Sequence, residues 1–336
     1  VGPMSAGAVP GPACYGRGGT EATITDANLL LGRLNPANLL DGGMDIHPDL
    51  ASDTYERLGG QLGIEPEEAA VSVIRIANSM MSKILRIVSV ERGYDPRDFA
   101  LVAFGGAGPM HVCALAEELE IDSVLVPPNP GMFSALGLLT ADLFHDYSRP
   151  VLSDVAEVDV DSIEALFNEM LDEGRATLNS EDVPRSRQSY KRTLDMRYRG
   201  QGFELKIETE TPFTRDSIRK AVKDFHLKHT EVYGYAEEDE PVEVVNAKLR
   251  VIGLLESPQL KTGELSGVAE PRDTRQVYFE TDDSWQDVDV FNRSSLGAEA
   301  TGPAIIEQYD STTVIYPGWS FKPDMLGNLI LRRCQR

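Results

Sequence analysis

The sequence predicts an α/β domain followed by an α+β domain, and three observations support this fold class. An apolar run from Phe99 to Phe104 leads through a glycine turn and a helix into a short strand at Ser123–Val126. This order is the outline of a parallel βαβ unit, whose first strand we expect to be buried on both faces. A long amphipathic helix from Pro66 to Arg92 precedes the unit, and in the second half strand patterns alternate with two helical patterns.

The chain of 336 residues has an ordinary globular composition, with 41% hydrophobic residues and a formal net charge of −22. This acidic balance argues against binding to nucleic acid or to anionic membranes. The three cysteines, Cys14, Cys113 and Cys334, show no close pairing, which favours a reducing compartment, so we expect a cytoplasmic protein. No apolar run approaches transmembrane length and no signal peptide is visible. Because the chain begins within a motif-like stretch, we expect it to be a fragment of a longer protein.

The first 19 residues are rich in Gly, Pro and Ala, which predicts turns and close backbone approaches. Cys14 lies within this stretch. It could be a small buried hydrophobic residue, or it could contact a substrate or metal in a cleft. Asp26 is a good N-cap for the short helix that follows, so helix capping and a catalytic place in a cleft both explain it.

The predicted helix from Pro66 to Arg92 has clear ends. Two glutamates in its first turn complement the helix dipole, and Gly93 is placed to end it. Apolar residues recur at helical spacing from Ala70 to Val88, which predicts one buried stripe. Since the helix leads into the apolar strand, we expect it to lie against the same sheet.

The glycine turn consists of Gly105, Gly106, Ala107 and Gly108, and Pro109 follows at a favoured first position of a helix. Free N–H groups and the dipole at a helix N-terminus make such a turn a ready site for a phosphate or ribose oxygen. The same pattern also occurs where glycine serves packing only. The turn alone therefore leaves both interpretations open.

Two histidines have a sequence context that suggests chemistry. His111 falls in the first turn of the helix after the glycine turn, where the positive helix end favours neutral imidazole, and it is a candidate catalytic residue. A structural histidine bonded to the loop backbone would fit the same position. His145 stands beside Asp146 and is a candidate substrate or metal contact. No spacing typical of a metal site occurs, so the metal ligands stay unknown.

The composition becomes acidic and polar after Arg149, which indicates a linker. The predicted domains are therefore residues 1–150 and residues 151–336. The second domain is predicted to contain helices at 161–178 and 214–233 and a hairpin of strands at 189–199 and 203–207. The stretch Tyr198–Glu204 fits a glycine-dependent hairpin turn or a substrate-facing loop.

Several stretches of the sequence have the character of motifs. They are SAGAVPGPACYGRGG, TDANLLLGRL, FGGAGPMH with VLVPPNPGMFSALGLLTAD, MRYRGQGFEL and GPAIIEQYDSTTVIYPGW. In this order they resemble the hydantoinase A and 5-oxoprolinase family, which also includes subunits of ATP-dependent ketone carboxylases. The resemblance runs from Ser5 to Trp319. It implies an actin-like, sugar-kinase-like ATPase lobe within residues 1–150, followed by the α+β C-terminal domain.

The resemblance also implies a chemistry. The family uses ATP with Mg²⁺ to phosphorylate the oxygen of a cyclic amide or related carbonyl, and hydrolysis or carboxylation follows. For this chain it implies a cyclic amide hydrolase of the hydantoinase or 5-oxoprolinase type. The turn from Gly105 to Gly108 would then lie at the nucleotide, with His111 and Asp26 as catalytic residues. A hydantoinase B-like subunit is the expected partner, in an oligomer.

Two alternatives remain at this point. The same scaffold carries ATP-dependent ketone carboxylation, and actin-like folds also serve as non-catalytic assembly modules. The family's acidic, glycine-rich phosphate loop is not recognisable, because GGTEATITD at residues 18–26 lacks the leading strand and aspartate. Since phosphoryl transfer needs that loop and its Mg²⁺, we expect this chain to be inactive on its own.

Overall fold

The structure is a computed structural model that describes residues 2, 4–37, 42–256 and 269–334. It contains two compact units. One joins Val1–Gly137 with Gln259–Arg336, and the other is Leu138–Pro258. These units differ from the predicted division at residue 150, because the last part of the chain returns to the first unit. There, Leu329–Val126 and Arg332–Ser123 are paired residues of two antiparallel strands.

Seven α-helices and thirteen strands occur among the described residues. The helices are α1 (Ile24–Leu30), α2 (Pro48–Leu62), α3 (Pro66–Val88), α4 (Gly108–Glu118), α5 (Phe133–Thr140), α6 (Val160–Ser180) and α7 (Arg215–Tyr233). The strands are β1 (Leu101–Val102), β2 (Ser123–Val126), β3 (Leu143–Asp154), β4 (Gln188–Tyr198), β5 (Leu205–Thr209), β6 (Val242–Gly253), β7 (Asp273–Phe279), β8 (Ser284–Asn292), β9 (Ala300–Thr301), β10 (Ala304–Gln308), β11 (Ser311–Ile315), β12 (Trp319–Pro323) and β13 (Leu329–Arg333). Within the described ranges, none of these helices is long and apolar enough to cross a membrane.

The first unit contains two sheets. One has the strand order β1-β2-β13-β12-β9 and the other β11-β10-β8-β7. β1 and β2 are parallel, with Leu101 opposite Val124, and α4 connects them, so the predicted βαβ unit is confirmed. Buried side chains of both sheets, such as Val124, Ile305 and Phe321, belong to one hydrophobic core together with α4.

The first strand of the βαβ unit is shorter and more exposed than the sequence predicts. β1 has only two residues, and Phe99, Val102 and Phe104 are 53%, 44% and 48% exposed. The expectation of burial on both faces is therefore wrong for the described residues. The reason is that β1 lies at the end of its sheet, with β2 as its one neighbour in the strand order.

The long predicted helix is present as α3 but ends earlier than expected. A 3₁₀ turn at Val90–Arg92 follows it, and Gly93 ends that turn in the left-handed region with φ 82°. Ile74 packs in a buried cluster with residues of α1 and α2, and Ala77 is buried as well, whereas Ile84 and Val88 are exposed. The apolar stripe is thus buried in the first half of α3 only.

The second unit is one antiparallel sheet packed on helices. Its strand order is β3-β6-β4-β5, and α6 and α7 pack on it. The predicted hairpin is confirmed as β4 and β5, with Gly200 in the turn at φ 84°. The core of this unit includes Phe167 of α6, Phe225 of α7 and Leu249 of β6.

Gly32 shows how tightly the segments of the first unit meet. Its φ is 75°, and a Cβ added there would overlap the carbonyl oxygen of Gln276 at the beginning of the C-terminal strands. The adjacent Leu31 carbonyl accepts a hydrogen bond of 3.0 Å from the Tyr278 amide. Only glycine fits both the conformation and the close approach.

We therefore expect Gly32→Ala to destabilise the protein by at least about 2 kcal/mol, because the new Cβ meets both positive φ and backbone overlap. Chemical denaturation of the purified variant measures this. Gly60→Ala is the matched control: Gly60 is exposed on α2 with open space around it. That variant should gain roughly 0.5–1 kcal/mol from helix propensity. Equal stability of the two variants would contradict the analysis.

Candidate functional site

The glycine turn is anchored from two directions. The Gly105 amide donates a hydrogen bond of 2.7 Å to the Pro130 carbonyl, and Gly105 has φ 83°. The Ser311 hydroxyl donates to the Gly106 carbonyl at 3.1 Å. Ser311 begins β11, some 205 residues further along the chain. The C-terminal strands therefore fix the shape of this turn.

The glycines of the turn leave open space on their outer side. Among the described residues, a Cβ on Gly105 would meet nothing within 4 Å, and a Cβ on Gly106 would meet only the Asp310 carbonyl oxygen, at 3.7 Å. The residue before α4, Ala107, contributes no side-chain cap to the helix N-terminus. Because a Cβ would fit at Gly106, packing does not require glycine at that position. The room and the uncapped helix end suit an approaching oxyanion such as a phosphate group.

Asp310 is a residue of this site that the sequence reasoning missed. Its Oδ2 accepts a hydrogen bond of 2.8 Å from the Gly131 amide, and its Oδ1 accepts one of 2.7 Å from the Gln308 side-chain amide. A Cβ on Gly131 would lie 2.7 Å from the Asp310 carbonyl oxygen, so glycine is needed there. The only signal in the sequence was the motif that contains IEQYDSTTV, to which no role was assigned.

His111 lies within α4 beneath the turn and is 4% exposed. Its Nδ1 is 2.8 Å from the Asn78 side-chain oxygen of α3, so Nδ1 carries the proton and donates. Burial, followed by the positive charge of Arg33, lowers the pKa of His111 to about 4, while Glu280 opposes this shift. The imidazole is therefore neutral at pH 7, as predicted. Its burial favours a role in positioning the helix over direct contact with a substrate.

Next to His111 lies a buried ion pair between Arg33 and Glu280, whose side chains are 1% and 9% exposed. The hydroxyl of Tyr316 donates to Glu280 Oε1 at 2.5 Å, and Arg33 donates to the Tyr278 carbonyl at 3.2 Å. Burial alone would raise the pKa of Glu280, but the charge of Arg33 and the Tyr316 hydrogen bond outweigh it and lower that pKa. Within the described part of the chain, two Arg33 nitrogens, Nε and Nη1, have no hydrogen-bond partner.

Asp26 and Cys14 come together away from solvent. Thr23 is the N-cap of α1. Asp26, at the third helical position, forms a capping box with Thr23, so Asp26 is not itself the N-cap. The Asp26 carboxylate also accepts hydrogen bonds from the Cys14 amide at 2.8 Å and the Ala13 amide at 3.2 Å. Both Asp26 and Cys14 are fully buried. These contacts tie the N-terminal segment to α1.

The Cys14 thiol is held in its protonated form. Burial, and then the neighbouring Asp26 carboxylate, raise the pKa of Cys14 well above its usual range. The thiolate is the form of cysteine that acts as a nucleophile or a metal ligand. Cys14 therefore has the environment of a small buried residue of the core.

His145 belongs to the second unit, on β3, and its Nε2 lies 2.9 Å from the Glu181 carboxylate. The neighbouring Asp146 instead pairs with Arg250 of β6, at 2.6 Å. Across the described ranges there is no group of three or more His, Cys, Asp and Glu side chains that could hold a metal ion. The surroundings of His145 account for it as a partner in a surface contact with Glu181.

Comparison with protein-family models gives two matches that together cover most of the chain. Residues 1–147 match the model described as hydantoinase/oxoprolinase, and residues 153–331 match the hydantoinase/oxoprolinase C-terminal domain. An uncharacterized protein of Methanocaldococcus jannaschii is 45% identical over 99% of this chain. The caprolactamase subunit alpha of Pseudomonas jessenii is 37% identical over 96%, and the acetophenone carboxylase gamma subunit of Aromatoleum aromaticum 32% identical over 98%.

Two solved structures share the fold. A nucleotide-free acetone carboxylase gives a TM-score of 0.83 at 26% identity over 99% of this chain. The ATP-dependent caprolactamase of Pseudomonas jessenii gives a TM-score of 0.76 at 34% identity over 100%. These likenesses support the predicted fold class, an actin-like α/β lobe followed by an α+β domain. The chain spans about half the length of these relatives, 47–48% of the three sequences and 49–50% of the two structures.

The low pKa of His111 predicts a specific pH dependence of stability. An unfolded histidine titrates near 6.5, whereas folded His111 titrates near 4. Above the unfolded value both states are neutral and His111 has no effect. As the pH falls from there to about 4, the unfolded chain binds the proton first, and roughly 3 kcal/mol of stability is lost at most.

In His111→Asn this part of the pH dependence should disappear, which urea denaturation across the same pH range measures as a change of slope. His47→Asn is the control for the substitution itself, because His47 is exposed. Identical slopes for the His111 variant and the unaltered protein would contradict the burial argument.

Proposed function

Because the chain belongs to the hydantoinase/oxoprolinase family, we propose that it is part of an ATP-dependent enzyme that hydrolyses a cyclic amide. One observation carries this proposal. Nearly the whole chain, 96% of it, aligns at 37% identity with a subunit of caprolactamase, and caprolactam is a cyclic amide. The solved caprolactamase, described as ATP-dependent, is 34% identical over the full chain.

The chemistry explains why such an enzyme would need ATP. A cyclic amide is resonance-stabilised, and its nitrogen and oxygen are poor leaving groups. ATP, when bound, would supply a phosphoryl group to the carbonyl oxygen, with release of ADP, and this makes the carbonyl carbon more electrophilic. Water would then add to that carbon, and the ring C–N bond would break as the nitrogen takes a proton and leaves. The acyl phosphate that results would be hydrolysed by a second water to the carboxylate and phosphate. For this step the protein has to position the reactants and stabilise charge, and it needs no protein nucleophile. The protonated, buried state of Cys14 is compatible with that requirement.

We propose that the turn of Gly105, Gly106, Ala107 and Gly108 contacts the nucleotide. The open space beside Gly106 and the uncapped N-terminus of α4 fit an oxygen-rich ligand. The Asp310 carboxylate lies beside this turn and is the candidate partner of a ribose hydroxyl or of Mg²⁺. Mg²⁺ at nucleotides uses one or two carboxylates together with phosphate oxygens, so an all-protein cluster of ligands is not required.

The two predicted catalytic residues take supporting roles in this proposal. His111 would position α4 and its turn through Asn78, because a side chain that is 4% exposed does not reach a ligand directly. Asp26 would hold the N-terminal segment onto α1 through its backbone hydrogen bonds. Cys14 and His145 remain candidates for substrate or metal contacts, although the described contacts favour structural roles for both.

We further propose that the protein acts in an oligomer with a second subunit of the hydantoinase B type. Relatives named as subunits support this: caprolactamase subunit alpha and the acetophenone carboxylase gamma subunit. The net charge of −22 and the three unpaired cysteines support a cytoplasmic setting for the assembly.

ATP-dependent carboxylation of a ketone is the second candidate function. The acetone carboxylase structure has the higher TM-score, 0.83 against 0.76, whereas sequence identity ranks the two structures the other way, 26% against 34%. We give more weight to identity, because both enzymes share the backbone fold while side chains decide the chemistry. The carboxylase remains an alternative that the same assay tests.

The test is a phosphate-release assay on the complete protein with a hydantoinase B-like subunit. The substrates are hydantoin, 5-oxoproline, caprolactam and simple ketones with bicarbonate. We expect a cyclic amide to stimulate ADP and phosphate formation in step with ring opening. Stimulation only by a ketone with bicarbonate would replace the proposal with the carboxylase. ATP turnover that no substrate changes would contradict both.

The nucleotide role of the turn is tested by Gly106→Val. The added side chain occupies the open space beside the turn, so we expect ATP affinity to fall at least about tenfold, measured by calorimetry. Gly60→Val carries the same change on an exposed face of α2 and should leave ATP affinity unchanged. A folded Gly106→Val variant with normal affinity would mean that the nucleotide does not occupy the space beside Gly106.

A further inference from the structure

A small pocket opens in the second unit between α6 and the beginning of β4. Its volume is about 50 Å³, and apolar side chains of α6 and β6 line part of it. The polar side of the pocket is formed by Arg175, Arg185, Gln188, Ser189 and Tyr190. β5 pairs with β4 only from Arg192 onward, so the first residues of β4 have a strand neighbour on one side only.

The two arginines of the pocket have no carboxylate partner among the described residues. Most other arginines of the unit are paired with carboxylates, for example Arg187 with Glu256, Arg192 with Glu164 and Arg250 with Asp146. Neither Arg175 nor Arg185 has an ion pair or a side-chain hydrogen bond to any residue that the structure describes. Two guanidinium groups that line one pocket without a counter-charge repel each other. An anion bound between them would offset this electrostatic repulsion.

Gln188 adds a hydrogen-bonding requirement. Its side-chain Nε2 donates to the Val183 carbonyl and to Asn179 Oδ1, both at 2.9 Å. Because the Val183 carbonyl can only accept, the orientation of the amide is fixed and Oε1 is left as an acceptor. Oε1 is buried and has no donor in the described part of the chain. A buried acceptor without a partner destabilises the folded state, and a donor on a ligand would remove that penalty.

We propose that this pocket binds a small oxyanion that carries an O–H group, such as hydrogen phosphate or bicarbonate. Arg175 and Arg185 neutralise the charge, and the ligand O–H donates to Gln188 Oε1. The volume of about 50 Å³ exceeds what one water occupies and is far below the 300–1,000 Å³ of sites for larger ligands. A nucleotide or a peptide is therefore excluded. The inference does not depend on the proposed function, since it concerns binding in the second unit alone.

Hydrogen phosphate and sulfate are the decisive pair of probes. At about pH 8 both are tetrahedral dianions of similar size, and they differ by the one O–H that Gln188 can accept. We expect calorimetry to show saturable binding of phosphate to the intact 336-residue chain and binding of sulfate weaker by at least about tenfold. Bicarbonate, titrated separately, shows which of the two oxyanions the pocket prefers.

Arg175→Gln and Arg185→Gln should each weaken phosphate binding at least about tenfold, because each removes a charge-assisted contact. Arg185 is exposed, so its variant should keep the fold even if the half-buried Arg175 variant does not. Arg219→Gln is the matched control, since Arg219 is exposed on α7, pairs with Asp216 and lies outside the pocket. The proposal is overturned by absence of saturable binding, by sulfate binding as tightly as phosphate, or by unchanged affinity in the Arg185 variant.

Discussion

The buried Arg33–Glu280 ion pair is the interaction on which the first unit depends. It joins residues 247 positions apart, one just after α1 and one just after β7. Burying two charges is costly unless each is paired and hydrogen-bonded. Here the Tyr316 hydroxyl donates to Glu280 and Arg33 donates to the Tyr278 carbonyl. Such a pair adds little to the net free energy of folding. It favours the fold that brings the two residues together, because any fold that separates them leaves an isolated buried charge.

The same pair acts on the electrostatics beneath the glycine turn. Burial first, and then the charge of Arg33, lower the pKa of His111, while Glu280 opposes the shift. The neutral imidazole donates its Nδ1–H to Asn78. That hydrogen bond joins α3 to α4, whose N-terminus carries the turn. The helix that carries the candidate nucleotide site is therefore held by a buried contact between residues 33 positions apart.

The first unit contains glycines in close backbone contacts and a glycine beside unfilled space. Gly131 and Gly32 are glycines because another segment of backbone lies against them, whereas the space beside Gly106 is left unfilled by the described residues. Glycine thus has two different physical uses within one unit. Only the second use leaves room for a ligand, which is why the proposed nucleotide contact is placed at the turn and Asp310.

The sequence by itself determined the features that depend on neighbours along the chain. Hydrophobic periodicity and turn residues correctly predicted α3, α4, α6, α7, the βαβ unit and the β4–β5 hairpin, because these follow from contacts between residues a few positions apart. Tertiary structure alone decided the return of β7–β13 to the first unit, the placement of Asp310 and Ser311 at the glycine turn, and the exposure of β1. These outcomes depend on which distant surfaces meet, and neither periodicity nor local propensity encodes the pairing of residues about 180 to 250 positions apart.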